Sequence, residues 1–210
     1  MITAPTVFLV DDDPAVLKGL SRLFRSAGLN VAPFQSAQDF LDGEIFLAPG
    51  CIVLDVAMPG LDGLALQEAL VARNSELPVI FLTGHGDIAM GVQAMKVGAT
   101  DFLTKPVDDQ TLLDAVRTAI EKNRLALQTR AELDDIRQRL ATLTPREREV
   151  LALVVAGQLN KQAAAELGTV EKTIKVHRAR VMAKMKVSSL AELVRLTSRA
   201  GIVGPAPKTR

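Results

Sequence analysis

Cys51-Ile52-Val53-Leu54-Asp55 is the strongest indication of the fold in this sequence. Its four apolar residues, ended by a carboxylate, predict a strand buried on both faces, as in a parallel sheet covered by helices. The full set of predicted strands is Thr6–Val10, Leu29–Ala32, Cys51–Leu54, Pro78–Leu82 and Asp101–Leu103. Helical stretches fill the gaps at Pro14–Ser26, Ala37–Leu41, Leu64–Ala72, Ile88–Val97 and from Asp108 onward. This alternation predicts a flavodoxin-like α/β unit with a five-stranded, doubly wound parallel sheet.

The helical pattern that starts at Asp108 continues further than the last helix of such a unit requires. Apolar residues recur at helical spacing at Leu113, Val116, Ile120, Leu133, Ile136, Leu140 and Leu143. We therefore predict one long connecting helix. Its second half carries a short apolar seam, which fits either a dimeric coiled coil or packing against the chain's own domains.

A separate helical region begins at Thr144. Thr144 is a predicted N-cap, Pro145 occupies the first helical position and Glu147 completes a capping box, which indicates a domain boundary at about residue 143. The helices predicted after it are Pro145–Ala156, Asn160–Leu167, Glu171–Met185 and Ser189–Ala200. The proline-containing end, residues 204–210, is predicted to be flexible.

Composition limits the class of protein. With 48% hydrophobic and 23% charged residues, the chain has the composition of a soluble globular protein. Its apolar runs are far shorter than the roughly 20 residues that cross a bilayer, and its first residues do not resemble a signal peptide. We therefore expect a cytoplasmic protein with no membrane partner, in which the single Cys51 is a buried thiol.

The net charge of +1 conceals a strong separation of charge along the chain. Residues 1–120 contain 7 Lys and Arg against 15 Asp and Glu, whereas residues 144–210 contain 13 against 5. This polarity indicates two domains with different partners. The acidic half suits a cation site, and the basic half suits a polyanion such as nucleic acid.

Polar residues follow the predicted strands at the edge where the carboxyl ends of the strands meet, which is where ligands bind in doubly wound sheets. They are Asp11-Asp12-Asp13, Asp55, Thr83-Gly84 and Lys105-Pro106. Asp11 and Asp12 suit Mg²⁺, which prefers carboxylate and water oxygens. Asp55 could then accept a phosphoryl group whose oxygens Thr83 and Lys105 stabilise.

Each of these residues also has a simpler structural interpretation. An Asp ahead of Pro14 can cap the first helix, Asp55 can serve the turn at 58–60, and the Thr and Lys can be loop residues. Their joint position at one edge favours the functional interpretation. Asp13 is the exception, because a helix cap or a supporting role suits it better.

At these positions the chain resembles the receiver domain of two-component response regulators, over about residues 5–120. The motifs are Val10-Asp11-Asp12, Asp55, Met58-Pro59-Gly60, Thr83-Gly84-His85-Gly86 and Lys105-Pro106. The resemblance implies that Asp55 is the phosphoacceptor and that Thr83 and Lys105 contact the phosphoryl group. It also implies a Mg²⁺ site formed by Asp11, Asp12, Asp55 and the backbone carbonyl of Ala57. Phe102 falls on the aromatic position that forms a switch with Thr83, and the Lys105-Pro106 bond is expected to be cis.

The predicted helix at 171–185 is strongly basic and carries Lys172, Lys175, Arg178, Arg180 and Lys184. A basic helix face alone is as often solvated as bound to DNA. Its position directly after a turn at Gly168-Thr169 is that of a recognition helix.

This region resembles the LuxR-type helix-turn-helix over about residues 143–203, and the whole chain resembles the FixJ-like branch of the NarL/FixJ regulators. The matching residues are 144–151, Gly157, Asn160-Lys161, 173–177 and 181–186. The resemblance implies that Lys175 and Val176 face base edges. The implied phosphate contacts are Asn160, Lys161, Lys172, Thr173 and Arg178. Val170 departs from the family, because many relatives have a capping Ser there; Thr169 could cap instead, or the helix start could fray.

Together the resemblances imply a transcription regulator switched by phosphorylation. The expected domains are a receiver at 1–120, a helical linker at 121–143, an all-α four-helix helix-turn-helix domain at 144–203 and a tail at 204–210. The implied partners are a sensor histidine kinase, an operator in double-stranded DNA, RNA polymerase and, after phosphorylation, a second copy of the chain. A phosphatase is the main rival, but Ala57 stands where its general acid would be needed. A receiver that no longer accepts phosphate is the other rival, and the intact acidic set argues against it. We expect no enzyme activity beyond self-phosphorylation and slow autodephosphorylation at Asp55.

Overall fold

The computed structural model describes residues 5–43, 49–84 and 88–202. The chain divides into two compact units, Met1–Gln128 and Thr129–Arg210. His85 and Gly86 of the predicted loop motif, and the predicted tail at 204–210, lie outside the described residues. None of the helices within the described ranges is long and apolar enough to cross a membrane.

The first unit is built on a parallel sheet of five strands in the order β2-β1-β3-β4-β5. The strands are β1 (Thr6–Val10), β2 (Asn30–Phe34), β3 (Gly50–Leu54), β4 (Val79–Thr83) and β5 (Asp101–Thr104). Val10 pairs with Leu54, and Leu54 pairs with Phe81, so the carboxyl ends of neighbouring strands lie together at one edge. The predicted five-stranded parallel sheet is confirmed.

Helices cover both faces of this sheet. They are α1 (Pro14–Ser26), α2 (Ala37–Asp42), α3 (Gly63–Ala72), α4 (Ile88–Lys96) and the first part of α5 (Asp109–Ala141). Alternate residues of each strand enter two separate cores, because successive side chains of a strand point to opposite faces. Ile52 packs in the core that also holds Phe40 of α2, whereas Val53 packs in the core that holds Leu112 of α5. The sheet is therefore doubly wound, as predicted.

The predicted bounds of β2 were wrong. The strand runs from Asn30 to Phe34, whereas Leu29–Ala32 was expected, so it continues through Pro33. β2 lies at the edge of the sheet, where one side has no neighbouring strand, so a residue without an N–H group is tolerated. The other four strands agree with their predicted bounds to within one residue.

The second unit contains four helices that follow one another along the described chain. They are α6 (Pro145–Val155), α7 (Asn160–Glu166), α8 (Glu171–Lys184) and α9 (Leu190–Arg199). Thr144 caps α6, and the Glu147 side chain completes the predicted capping box. The core includes Ile174 of α8, Leu193 of α9 and Leu143.

The long connecting helix is confirmed as α5, a single helix of 33 residues. The second unit begins within this helix, at Thr129. Leu143 is buried in the core of the second unit, and Leu140 packs against that core. The end of the apolar seam therefore packs within the chain's own domain, which was one of the two open interpretations.

Candidate functional site

The sheet edge brings two carboxylates and an ammonium group into direct contact. Asp11 follows β1, Asp55 follows β3 and Lys105 follows β5. The Lys105 Nζ atom lies 2.6 Å from Asp11 Oδ2 and 2.9 Å from Asp55 Oδ1. The Lys105 ammonium group therefore bridges two carboxylates, whose residues lie 94 and 50 positions before Lys105 in the chain.

Backbone hydrogen bonds hold the two carboxylates in place. The N–H of Asp13 donates to Asp11 Oδ1 at 2.9 Å, and the N–H of Ala57 donates to Asp55 Oδ2 at 2.8 Å.

The Lys105-Pro106 bond is cis, as the sequence resemblance implied. Asp13 caps α1 by accepting from the Ala15 N–H at 2.8 Å, so of the two roles predicted for it the helix cap is confirmed.

The two carboxylates are nearly shielded from water, since Asp11 is 3% exposed and Asp55 is 7% exposed. Burial raises the pKa of Asp11 above its ordinary value, and the bond from Lys105 only partly opposes this effect. Burial alone would lower the pKa of Lys105, but its bonds to Asp11 and Asp55 outweigh burial and raise it. Lys105 is therefore held in its charged form between the two acids.

The remaining predicted site residues differ in how they are placed. Thr83 is the last residue of β4 and is fully buried, whereas Asp12 and Ala57 are exposed beside the carboxylates. Phe102 on β5 is half-buried, and its ring centroid lies 6.0 Å from that of Phe81. The two residues of the predicted switch are therefore a buried hydroxyl group, that of Thr83, and an aromatic ring at the boundary of the core, that of Phe102.

Gly63, the first residue of α3, was not predicted from the sequence to belong to this site. Its backbone N–H donates to the Val56 carbonyl at 3.0 Å. A methyl group on Gly63 would place its carbon 2.3 Å from the Asp55 carbonyl oxygen. Only glycine allows α3 to approach the backbone of Asp55 this closely, and the Asp62-Gly63 pair after the turn was the available signal.

The side chains at this edge fit a magnesium ion. Within the described ranges, no group of three or more His, Cys, Asp and Glu side chains could hold a metal alone. Mg²⁺ does not need such a group, because it usually binds one or two carboxylates and keeps several waters. Asp11 and Asp55 supply the hard oxygen ligands that Mg²⁺ prefers, and their oxygens have acceptor capacity beyond the bonds described above.

The candidate DNA-binding surface lies on α7 and α8 of the second unit. Lys161, Lys172, Lys175 and Val176 are exposed, whereas Asn160, Thr173 and Arg178 are half-buried. Lys175 Nζ pairs with Glu171 Oε1 at 3.0 Å, and Arg178 Nη1 donates to Asn160 Oδ1 at 3.3 Å. Two basic side chains of α8 in this surface, those of Lys175 and Arg178, thus have partners within the domain.

Two features of α8 refine its interpretation. The helix begins at Glu171 with Val170 as the N-cap residue, and no side chain caps it, so Thr169 does not take over this role. Lys184, counted in the sequence among the basic residues of the helix, points inward instead. Its Nζ atom lies 2.6 Å from Oε2 of the buried Glu147, so it is a structural residue.

Comparison with known proteins agrees with this division into two functional regions. The family described as response regulator receiver domain matches residues 7–117. The family described as bacterial regulatory proteins, luxR family, matches residues 141–197. A receiver site on the first unit and a helix-turn-helix on the second define the class of transcriptional response regulators.

Similar proteins are matched along almost their whole length. Nodulation protein W of Bradyrhizobium diazoefficiens is 47% identical over 200 residues, which cover 95% of this chain and 88% of that protein. Transcriptional regulatory protein FixJ of the same species is 45% identical over 203 residues, 97% of this chain and 99% of that protein. The structure of response regulator StyR has a TM-score of 0.88 and 47% identity, and the match covers 94% of this chain and 100% of that one. The chain belongs to the NarL/FixJ family of response regulators, FixJ-like branch, and is a phosphorylation-activated transcription regulator.

Proposed function

We propose that Asp55 is the residue that accepts the phosphoryl group. The observation that carries this proposal is the bridge that Lys105 Nζ forms between Asp11 and Asp55. A carboxylate oxygen of Asp55 is the nucleophile, and the Lys105 ammonium group offsets negative charge on the transferred phosphoryl oxygens. The Thr83 hydroxyl contacts the phosphoryl group once it is attached.

The same site would hold Mg²⁺ with Asp11 and Asp55 as carboxylate ligands. Asp12 and the Ala57 carbonyl, which the resemblance adds to the ligand set, are at exposed positions close to them in the chain. When bound, the ion would neutralise negative charge on the phosphoryl oxygens. A divalent cation suits this site, because the buried carboxylates of Asp11 and Asp55 carry more negative charge than the ammonium group of Lys105 alone can balance.

The chemistry is limited to the chain's own phosphorylation and a slow dephosphorylation. A phosphatase that turns over rapidly needs a general acid beside its nucleophile. Val56 and Ala57 follow Asp55, and neither can donate a proton from its side chain. The protein therefore acts as a switch whose phosphorylated state is ended by its own slow dephosphorylation, rather than as an enzyme with an external substrate.

The second unit would bind an operator through α7 and α8. Lys175 and Val176 lie on the exposed part of α8 and would face base edges in the major groove. The phosphate contacts would be made by Asn160, Lys161, Lys172, Thr173 and Arg178. This assignment is supported by the basic charge of the region and by its place in the helix-turn-helix.

A sensor histidine kinase would supply the phosphoryl group in the cytoplasm, where the operator DNA lies. Phosphorylation would then favour a homodimer through α4 and β5, because in the family that the chain resembles the residues at Thr83 and Phe102 connect that face to the phosphorylation site. The bound dimer would act on transcription through RNA polymerase. Val92 and Met95 support the choice of face, because both are exposed apolar residues of α4.

The test is phosphorylation of purified wild-type protein and Asp55→Asn by acetyl phosphate and Mg²⁺, followed by intact mass. Wild-type protein should gain one phosphoryl group, and Asp55→Asn should gain none. Asp13→Asn is the matched control, because asparagine still caps α1 and the residue has no phosphoryl role. Labelling of Asp55→Asn at the wild-type rate would contradict the proposal.

A further inference from the structure

The C-terminal ends of α5 and α8 each receive a cationic donor from the other helix. Lys184, the last residue of α8, donates from Nζ to the Thr142 carbonyl at 3.0 Å, just beyond the end of α5. Arg139, in the last turn of α5, donates from Nη1 to the Met185 carbonyl at 3.0 Å, at the C-cap of α8. The last carbonyls of a helix have no partner within it and carry partial negative charge, so cations there are stabilising.

Both donors are held by a carboxylate and are only partly open to solvent. Arg139 Nη2 lies 2.5 Å from Asp135 Oδ2, and Lys184 Nζ lies 2.6 Å from Glu147 Oε2. The side chains of Arg139 and Lys184 are 22% and 34% exposed, so water and salt screen these contacts less than surface ion pairs. The two bonds therefore fix the end of α8 in a defined position.

The opposite end of α8 lacks such an anchor. Val170 occupies the N-cap position, and its side chain has no group that could accept a hydrogen bond from the N–H groups of the first turn. Between the two ends, the buried Ile174 and Val181 hold the helix against the core through non-directional packing. Arg178 Nη1 makes one directional bond from the middle of α8, to Asn160 Oδ1 of α7, whereas the two bonds to carbonyls described above lie at the C-terminal end of the helix.

We propose that Arg139 and Lys184 are positioning residues for DNA recognition, which dock the recognition helix onto the end of α5. Contacts to base edges require an exact position of the side chain, because base edges are read by directional hydrogen bonds, whereas contacts to phosphates require it less. The base contacts proposed for Lys175 and Val176 therefore depend strongly on how α8 is placed.

The test measures how full-length variants bind two duplexes. One duplex is selected from a randomised pool by the wild-type protein, and the other is a scrambled duplex of the same composition. We expect Arg139→Gln to lower the ratio of the two affinities at least about fivefold, the loss that a weakened base contact causes. Arg139→Lys keeps a cationic donor and should recover most of the ratio.

Arg137→Gln is the matched control. Arg137 lies on the same helix and pairs with Asp134 at 3.0 Å, and its side chain is 68% exposed. Loss of its charge should weaken binding to both duplexes equally and leave the ratio unchanged. A ratio for Arg139→Gln equal to that for Arg137→Gln, with helical content intact by circular dichroism, would overturn the proposal.

A second variant tests Lys184 without leaving a buried charge unpaired. Glu147→Gln combined with Lys184→Gln replaces the ion pair by two neutral amides, and we expect it to lower the same ratio. If the folded double variant keeps the wild-type ratio of the two affinities, Lys184 has no positioning role. If the double variant does not fold, the result for Arg139→Gln decides the inference. Repeating the measurements with beryllofluoride separates the inference from the switch. Absence of any gain in wild-type affinity would contradict the switch, whereas the ratio of affinities still decides the positioning role.

Discussion

Gly63 shows how a single residue without a side chain shapes the acidic site. Helix interiors disfavour glycine relative to alanine, so a glycine in the first turn of α3 needs a local reason. The reason is the approach of this turn to the backbone at Asp55, where an added carbon would lie 2.3 Å from a carbonyl oxygen. That carbonyl belongs to a backbone segment that cannot move without moving the Asp55 carboxylate.

We expect Gly63→Ala to destabilise the first unit by about 1–3 kcal/mol, the usual cost of overpacking, and to slow phosphorylation at Asp55. Urea unfolding and labelling with acetyl phosphate measure the two effects. Gly19→Ala is the matched control, because Gly19 also lies in a helix but has no atoms within 4 Å of the added carbon. That variant should be neutral or more stable by up to about 1 kcal/mol. Equal stabilities of the two variants would contradict the steric explanation.

Individual residues of the acidic site differ in how far the sequence could predict them. Asp11, Asp55 and Lys105 could be predicted to converge, because each directly follows a strand of a parallel sheet. The bridge formed by Lys105 could not, since it depends on the direction of a flexible side chain. Gly63 could not be predicted as part of the site either, because a close approach between two backbone segments leaves no periodic pattern in a single sequence.

At the level of elements, the capping box of α6 also anchors α8. The Lys184 ammonium, together with the Thr144 N–H, lowers the pKa of Glu147 from its ordinary 4.5 to about 2. The sequence predicted the capping box but assigned Lys184 to the basic face of α8. Periodicity shows which residues of a helix share a face, but the neighbouring elements decide which of them become buried.

We expect Glu147→Gln to lower the melting temperature of the second unit by several degrees at neutral pH. A carboxyl whose pKa is lower in the folded state contributes its full stabilisation above its unfolded pKa and loses this contribution progressively as the pH falls through its folded pKa. The difference from wild type should therefore shrink as the pH falls from 4.5 towards 2. Melting curves by circular dichroism across this range measure it. Glu149→Gln, on the same helix with an exposed partner, should change little, and a pH-independent loss in Glu147→Gln would assign the effect to packing instead.

The two helices of the proposed DNA-binding surface, α7 and α8, should contribute differently to binding. Lys175→Ala on α8 should cost about 1–3 kcal/mol and relax the preference at one base pair, because its ammonium group can donate to guanine acceptors. Lys161→Ala on α7 should weaken all sequences alike and reduce the logarithmic salt slope by roughly one, as expected for a phosphate contact. Competition binding on a randomised pool at two salt concentrations measures both effects. An altered base preference in Lys161→Ala alone would reverse the assigned orientation.

Across the whole molecule, the separation of charge matches the two sites. Residues 1–120 carry an excess of acids, including the buried pair at the carboxyl edge of the sheet, whereas residues 144–210 carry an excess of bases. The sequence predicted this division and the two folds, because charge and periodicity are both visible along the chain. It could not predict that the second unit begins inside α5, since one continuous helix gives no signal at the point where its packing partners change.

The phosphorylated molecule should dimerise through a surface made by α4 and β5. β5 is the last strand in the sheet order and α4 precedes it, and Val92 of α4 is 48% exposed. Beryllofluoride with Mg²⁺ should shift the wild-type protein toward dimer at micromolar concentration, by a coupling of at most about 3 kcal/mol. Val92→Asp should prevent the shift, because dimer formation would then bury a carboxylate without a partner. Val71→Asp is the matched control, since Val71 is 55% exposed on α3 and lies outside this surface. Light scattering that finds a monomeric wild-type protein, or a Val92→Asp variant that dimerises as readily as Val71→Asp, would rule out this mechanism.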